Sequence, residues 1–439
     1  MKKSYLFSAF AAGMVMLSAC SNDGDLTGGN AGNESNDAVQ QIVLQVANTG
    51  DGMQTRAGRP LLSSEAKQDI KYVKVIICDK SNQIVKEKTY SNWNGADTSK
   101  DPDSKDYNTG GAHGREVTLE YKGTEKLNNG EYTVYAFGYS DGSDYKNLTT
   151  EMDKLTTTET FTPNITLSLK NENVKGEEIF AGCSQVIKID DAHKGFNKTV
   201  VLNRQVAGTF GYFDNIPYVA GAKKLQLVAS QRNNDLVLGS FNSFDLTGNG
   251  GNNGNHVNYV VNGTTAATDK VVYTIYLQDW FTNVDDKDDD GLIDADTNWK
   301  GDAKKYAKGS VFGGTFLIPF AKVDSKNTFV LQLTDDAGKV LKEWTVKLPS
   351  GDDQLSAYRF FKWNGTTFEN TPNVQDTQDK YSVVRNHLYG IGERALDKPT
   401  NPGGGTDPDP DKPEPLNKKQ ELTLHVNDNW EVIHKMELE

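Results

Sequence analysis

Hydrophobic and polar residues alternate along most of this chain in short segments. Clear examples are QIVLQVA at 41–47, YVKVIIC at 72–78 and YTVYAFGY at 132–139. These segments are rich in Val, Ile, Tyr, Phe and Thr, and clusters of Gly, Asn and Asp separate them, which is typical of strands joined by turns. The best helical candidate, Ser63–Lys71, is short. The pattern therefore predicts an all-β protein made of antiparallel β-sandwiches.

Length and composition refine this prediction. The 439 residues suggest two or three domains. Only 36% of them are hydrophobic, as expected where strands bury alternate residues. The net charge of −13 argues against a nucleic-acid partner, which requires a basic surface. Three Cys exclude a scaffold built from disulfides, and whether Cys78 and Cys183 pair stays open.

The N-terminus has the features of an export signal. Lys2 and Lys3 precede an apolar stretch, Tyr5–Leu17, which is too short to span a membrane as a helix. The sequence LSAC at 17–20 resembles a bacterial lipobox, in which the cysteine, here Cys20, becomes lipidated. A polar segment follows at 21–38 and is expected to be a flexible tether. We predict a lipoprotein anchored in the outer membrane; the competing interpretation is an ordinary signal peptide.

The strand pattern repeats weakly. QIVLQVA and then IKYVKVIICDKSNQIV in the first half correspond to VVLNRQVAGTF and then AKKLQLVASQRNNDLV in the second. Two domains with the same arrangement of strands would explain this similarity. A Gly/Asn-rich segment, Thr247–Thr265, is expected to be a long loop. The predicted organisation is a signal peptide (1–20), a tether with a removable first strand (21–56), two sandwiches (57–188 and 189–399), a Pro/Asp-rich linker (400–416) and a C-terminal tail (417–439).

The tail has a strand pattern of its own, although the linker separates it from the second sandwich. Its apolar residues fall mostly on even-numbered positions, namely Leu422, Leu424, Val426, Trp430, Val432, Met436 and Leu438. One face of such a strand is suited to burial, and a pair of strands alone is only marginally stable in water. We predict that these residues form donor strands that add to the open sheet of another molecule. The alternative is that the tail folds back on its own domain.

A possible cleavage site follows the first predicted strand. The sequence TRAGR at 55–59 is polar and rich in small residues. A cut after Arg56 would remove Cys20, the tether and the strand at 42–47. The first sandwich would then have a vacant strand position, which the tail of another molecule could fill.

Several motifs, taken in order, resemble the fimbrillins, which are pilus subunits of Bacteroidales. They are LSAC at 17–20, Thr55-Arg56-Ala57, NNGEYTVYAFGYSDG at 128–142, EEIFAGCSQVI at 177–187, VVLNRQVAG at 200–208, YSVVRNHLYGIG at 381–392 and the Pro/Asp linker before WEVIHKMEL. The resemblance implies two transthyretin-like sandwiches and export as a lipoprotein. It also implies cleavage after Arg56 by a trypsin-like protease and strand exchange with other copies and accessory subunits in a surface fimbrium.

An acidic segment, DDKDDDGLIDADTNW at 285–299, has the spacing of an EF-hand loop. Counted from Asp286, the first, third, fifth, seventh and ninth positions are Asp286, Asp288, Asp290, the backbone of Leu292 and Asp294. Gly291 takes the position of the sharp turn, whereas Thr297 replaces the usual final Glu. The pattern predicts a Ca²⁺ site; the alternative is an acidic loop that binds no ion.

No constellation for catalysis is evident, so we predict that the chain is not an enzyme. The six His lack metal-ligand spacing, and nucleophile and phosphate-loop motifs are absent from the sequence. Arg204, within an apolar strand, is expected to form a structural ion pair. The alternative function is a surface glycan-binding lipoprotein, which would use Trp93, Trp280 and Trp299 as exposed platforms.

Overall fold

The fold is almost entirely β, which confirms the predicted fold class. The computed structural model describes residues 39–46, 70–91, 93, 107–108, 116–141, 144–239, 258–303, 306–323, 326–347, 359–372, 382–392, 413–417, 421–423 and 425–427. Helices in these ranges are short, and none is long and apolar enough to cross a membrane. They are α1 (Leu148–Asp153), α2 (Leu277–Trp280), α3 (Ala295–Asn298) and a 3₁₀ turn (Gly123–Glu125).

The first part of the chain builds one large sheet. The described residues of this part of the chain form ten strands, and all of them except β7 belong to the sheet. They are β1 (Gln40–Val46), β2 (Tyr72–Asp79), β3 (Ile84–Ser91), β4 (Tyr107–Asn108), β5 (Glu116–Tyr121), β6 (Gly130–Tyr139), β7 (Thr166–Ser168), β8 (Phe180–Cys183), β9 (Ile187–Ile189) and β10 (Phe196–Arg204). The order in the sheet is β3-β2-β6-β8-β10-β1-β5-β4, with β9 also paired to β6, and β7 belongs to a separate small sheet. Tyr90 of β3 and Val117 of β5, near opposite ends of this order, lie in the same hydrophobic core. The sheet therefore curls around that core.

The rest of the chain builds a second core between two five-stranded sheets. The described strands of this part of the chain are β11 (Ala207–Asp214), β12 (Lys224–Ala229), β13 (Asn233–Val237), β14 (Asn258–Val261), β15 (Gly263–Ala266), β16 (Val271–Tyr276), β17 (Val311–Leu317), β18 (Phe329–Thr334), β19 (Val340–Lys347), β20 (Arg359–Trp363), β21 (Phe368–Pro372), β22 (Leu388–Ile391), β23 (Glu414–Pro415), β24 (Glu421–Thr423) and β25 (His425–Asn427). One sheet has the order β17-β11-β22-β25 with β23 beside β11, and the other has the order β16-β12-β18-β19-β24. Their facing residues, among them Phe213, Leu331 and Trp344, form one core.

The expectation of antiparallel sheets holds for most neighbouring strands but is wrong at several pairs. β1 runs parallel to β10, and β11 runs parallel to β22. Parallel neighbours require a long connection, and in both cases well over a hundred residues separate the two strands in the sequence. Local alternation of residue types carries no information about such distant pairing.

The predicted long loop at Thr247–Thr265 is wrong in its second half. Residues 258–261 form β14, which pairs with β20, and β15 pairs with β13. Asn262 between them is fully buried, and its Nδ2 donates hydrogen bonds to the carbonyl oxygens of Gln205 (3.1 Å) and Val237 (3.0 Å). The donor end of this amide is paired, whereas its Oδ1 is buried without a hydrogen-bond partner among the described residues. The bonds of Nδ2 allow Asn, a residue typical of loops, to occupy a core position.

The first sheet extends to the end of β10, beyond residue 188, because β10 pairs with both β1 and β8. At its end, the predicted ion pair of Arg204 is confirmed. The Nη2 atom of Arg204 lies 2.6 Å from Oε1 of Glu178, and both side chains are buried. Nη1 of Arg204 also donates a hydrogen bond of 3.2 Å to Oδ1 of Asn386, which links the two parts of the chain. Cys78 and Cys183 are both buried, and no disulfide joins them.

Candidate functional site

The strand predicted to be removable, β1, lies inside the first sheet rather than at its edge. It pairs in parallel with β10 from Gln40 to Val46 and antiparallel with β5 from Gln40 to Gln45. The side chains of Ile42 and Leu44 are fully buried in the core. The backbone and the apolar face of β1 are therefore both fully used, so that its loss would expose two sheet edges and part of the core.

Gln40 fixes the beginning of β1, and sequence reasoning missed this role. The backbone N–H of Leu127 donates to its Oε1 (2.7 Å), and its Nε2 donates to the carbonyl oxygens of Leu127 (3.1 Å) and Lys194 (3.0 Å). The side chain is only 2% exposed. A buried amide with three such bonds sets the position of the strand along its axis, because a shift would leave buried polar groups unpaired.

The two predicted processing residues lie outside the described residues. Cys20 precedes β1 in the sequence, and Arg56 lies between the end of β1 at Val46 and the next described residue, Ile70. A cut after Arg56 would thus separate β1 covalently from every other strand of the fold.

The end of the linker and the start of the tail contact the second core. β23 runs parallel to β11, and the backbone N–H of Leu416 donates a bond of 3.1 Å to the carbonyl oxygen of Asp214. Leu416 is fully buried, and its own carbonyl oxygen accepts a bond of 3.1 Å from the indole Nε1 of Trp344.

The tail then crosses from one sheet of the second core to the other. β24 pairs in parallel with β19 and places Leu422 opposite Val346, with the Leu422 side chain fully buried. β25 pairs antiparallel with β22 and places Val426 opposite Tyr389. The described tail residues thus dock on their own domain, in the arrangement considered as the alternative to donation. The other predicted donor residues, Leu424, Trp430, Val432, Met436 and Leu438, lie outside the described residues.

The acidic loop brings three of its predicted ligands together. Carboxylate oxygens of Asp286, Asp288 and Asp290 all lie within 4.8 Å of one another. Gly291 has a φ of 82°, a conformation that favours glycine, and its N–H donates a bond of 2.9 Å to Oδ2 of Asp286. The other oxygen of Asp286 is buried and has no hydrogen-bond partner among the described residues.

Asp294, the fifth predicted ligand residue, has a different direct role. Its Oδ1 accepts hydrogen bonds from the backbone N–H groups of Asp296 (3.0 Å) and Thr297 (3.3 Å), so that it caps the N-terminus of α3. The Thr297 hydroxyl donates a further bond to Oδ2 of Asp294, and these bonds lower the pKa of that carboxyl. Position 9 of such loops often reaches the cation through water, so a capping role of Asp294 is compatible with that position. Next to it, Leu292 pairs with Pro217 and Ile293 is buried in the second core, which ties the loop to the fold.

The tryptophans that would support the glycan-binding alternative are not exposed platforms. Trp93 is 1% exposed and belongs to the first core. Trp280 and Trp299 are half-buried against the second core, and Nε1 of Trp299 donates a bond of 2.8 Å to the carbonyl oxygen of Ser310. The prediction is therefore wrong for Trp93, and the other two offer at most part of a ring to a ligand.

No family model and no curated protein matches the sequence. Chains of solved structures do match it. A fimbrial assembly protein from Parabacteroides distasonis ATCC 8503 is 13% identical with a TM-score of 0.35, over 81% of this chain and 91% of that one. The tip fimbrial protein Mfa3 from Porphyromonas gingivalis, with a C-terminal truncation, is 12% identical with a TM-score of 0.35, over 80% and 94%. The fimbrial anchor protein Mfa2 from the same species is 10% identical with a TM-score of 0.33, over 74% and 90%. Sequence identities and TM-scores this low assign neither a family nor a function to the chain.

Proposed function

We propose that this chain is a structural, non-catalytic subunit of a bacterial surface fimbria that supports adhesion. It is exported as a lipoprotein, held in the outer membrane through Cys20 and cut after Arg56 by a trypsin-like protease. It then polymerises with other copies and accessory subunits by donor-strand exchange, in which the tail of one copy replaces β1 of another. The proposal rests on the motifs that resemble fimbrillins and on the position of β1.

The observation that carries the proposal is that an interior strand precedes the candidate cleavage site. After a cut at Arg56, only non-covalent contacts would hold β1 in place. Full burial of Ile42 and Leu44 contributes about 1.5–3 kcal/mol each. A vacated position would expose the edges of β5 and β10 together with core residues such as Val117 and Val200. Such an opening is a ready site for an extended segment of another chain.

Limited proteolysis of the purified precursor tests the proposal. We expect trypsin to cut after Arg56 and the product, residues 57–439, to form polymers that appear as a ladder on gels run without boiling. Deletion of residues 417–439 should abolish the ladder but leave the cut unchanged. Polymers that persist after this deletion would contradict the donor role of the tail.

A matched pair of variants isolates the cleavage site. Arg56→Ala should leave the precursor monomeric after protease treatment. Arg59→Ala, three residues further on, should mature and polymerise like the wild type. Binding of glycans by the uncut monomer of both variants, without any polymer, would instead favour the glycan-binding alternative.

We also propose that the acidic loop holds a Ca²⁺ ion through Asp286, Asp288, Asp290 and the backbone of Leu292, with Asp294 in the outer position. The convergence of three carboxylates supports this proposal, as does the buried oxygen of Asp286. Carboxylate oxygens are the ligands that Ca²⁺ prefers, and the ion would offset their mutual repulsion. Because Ile293 is buried in the second core, the ion would stabilise that core locally.

A further inference from the structure

The tail contains a segment that repeats the residue pattern of β1. Residues 40–46 read QQIVLQV, and residues 420–426 read QELTLHV. Both segments begin with Gln and then carry an aliphatic residue at the second, fourth and sixth positions after it. No other Gln in the sequence is followed by Ile, Leu or Val at all three of these positions.

Three of the four shared positions are buried in β1. Gln40, Ile42 and Leu44 are buried, whereas Gln41 and Val43 between them are half-buried on the opposite face. The positions that differ most between the two segments are thus the outward ones. A copy that preserves only the inward residues is the pattern expected of a strand that must fit the same slot.

We propose that residues 420–426 of a second copy occupy the place of β1 in the same direction and register, so that Gln420 replaces Gln40 and Val426 replaces Val46. This inference rests on the proposed function and specifies which part of the tail is exchanged. The slot it fills is bounded by β5, β10 and the backbone of Leu127 and Lys194.

The glutamine determines the register. In the vacated slot, the N–H and carbonyl groups of Leu127 and the carbonyl of Lys194 lose the partner that Gln40 provides. Gln420 in register restores all three bonds. A shift by two residues would bring Leu422 to this position and leave these groups unpaired, and a shift by one would turn Leu422 and Leu424 to the outer face.

The same segment has a competing position in its own molecule. There it is divided between two sheets, and among the described strands β24 pairs with β19 alone and β25 with β22 alone. In the slot, a continuous strand pairs on both sides, as β1 does with β10 and β5. Because the slot offers more backbone hydrogen bonds, transfer to a neighbour is favoured once β1 has left. Until then, docking on its own domain keeps Leu422 buried.

Disulfide cross-linking of the full chain tests the register. Val43 lies opposite Thr118 of β5, and both side chains are half-buried on the outer face. Residue 423 of the donor should take the place of Val43, so Thr423→Cys with Thr118→Cys should join subunits in a ladder on non-reducing gels after the trypsin cut. The control is Thr423→Cys with Glu120→Cys, which would be opposed only in a register shifted by two residues. Cys78 and Cys183 are buried, and Cys20 leaves with the removed segment.

A second pair of variants does not depend on disulfide geometry. Gln420→Ala should lower the urea concentration at which polymers dissociate, whereas Gln40→Ala should not, because residue 40 is removed before assembly. A cross-link through the cysteine at position 120 would overturn the proposed register. So would polymers of the Gln420→Ala and Gln40→Ala variants that dissociate at the same urea concentration. Unmodified chain that is cut but forms no polymer would instead contradict the proposed function itself.

Discussion

The side-chain amide of Gln40 and the backbone of Leu127 exchange two hydrogen bonds, of 2.7 and 3.1 Å, across 87 positions of sequence. This reciprocal pair attaches β1 to the turn that precedes β6. It makes a strand that is distant in sequence an integral part of the first core, and it can be tested without assembly.

Gln40→Ala should destabilise the uncut precursor by about 1–3 kcal/mol, because it leaves the buried N–H and carbonyl of Leu127 unpaired. The measurement is urea unfolding followed by circular dichroism. Gln41→Ala is the matched control, since Gln41 is half-buried on the opposite face, and it should change the unfolding free energy by less than about 0.5 kcal/mol. Equal effects of the two substitutions would show that the amide bonds do not hold the strand.

Leu422→Ala should destabilise the second core of the uncut precursor by about 2–5 kcal/mol, because it removes a fully buried side chain of the tail. Thermal unfolding monitored by tryptophan fluorescence would report it, since Trp344 lies in the same core. Asn417→Ala, at an exposed position in the same segment, is the control. An unchanged transition for Leu422→Ala would mean that the tail does not dock on its own domain in solution.

Glu178→Ala should cost about 3–5 kcal/mol of stability, because it leaves the buried guanidinium of Arg204 without its carboxylate. Glu151→Ala, which removes the exposed ion pair with Lys154, is the comparison. It should lower the free energy of unfolding by less than about 1 kcal/mol. Urea unfolding of both variants checks this difference. Similar costs would contradict a structural role for the buried pair.

Ca²⁺ at millimolar concentration should raise the unfolding temperature of the wild type and release or absorb heat in isothermal titration. Asp288→Asn should abolish both effects, since it removes one of the three converging carboxylates. Asp336→Asn, which changes an exposed carboxylate outside the loop, should leave both effects intact. Absence of any heat with the wild type would rule out the site.

Cys78 should resist alkylation in the folded protein. Burial, with a smaller contribution from the charge of Asp79, raises the pKa of its thiol to about 12. The reactive thiolate is then on the order of one part in ten thousand at pH 8. Iodoacetamide labelling followed by mass spectrometry should detect the modification only after denaturation, whereas a cysteine introduced by Ser81→Cys in the neighbouring exposed turn should react at once. Rapid labelling of Cys78 in folded protein would contradict its burial.

The sequence predicted individual strands well and their partners poorly. Alternation identified β1, β2 and β6 because each has apolar residues directed to a core. It could not indicate that β10 joins β1 in parallel, because that pairing depends on residues more than a hundred positions apart. Nor could it place β14 and β15, since the segment owes its strand structure to partners such as β20 and to the buried amide of Asn262 rather than to its composition.

The candidate site was likewise only partly predictable. The spacing of Asp286, Asp288 and Asp290 indicated their convergence correctly, but the capping role of Asp294 depends on where α3 begins. Gln40 was missed because a lone polar residue at the start of a strand is usually exposed. Its recurrence at residue 420, with the same aliphatic spacing, is the signal from which its importance could have been inferred.

The two-sided pairing of β1 also has a mechanical consequence. In a fibre whose subunits are joined through this slot, tension acts along the axis of the inserted strand. The hydrogen bonds to β5 and β10 are then loaded in shear, so they must break together rather than one after another. A joint of this kind resists pulling by flow or by a host surface far better than a strand peeled from one end, although its bonds are ordinary backbone bonds.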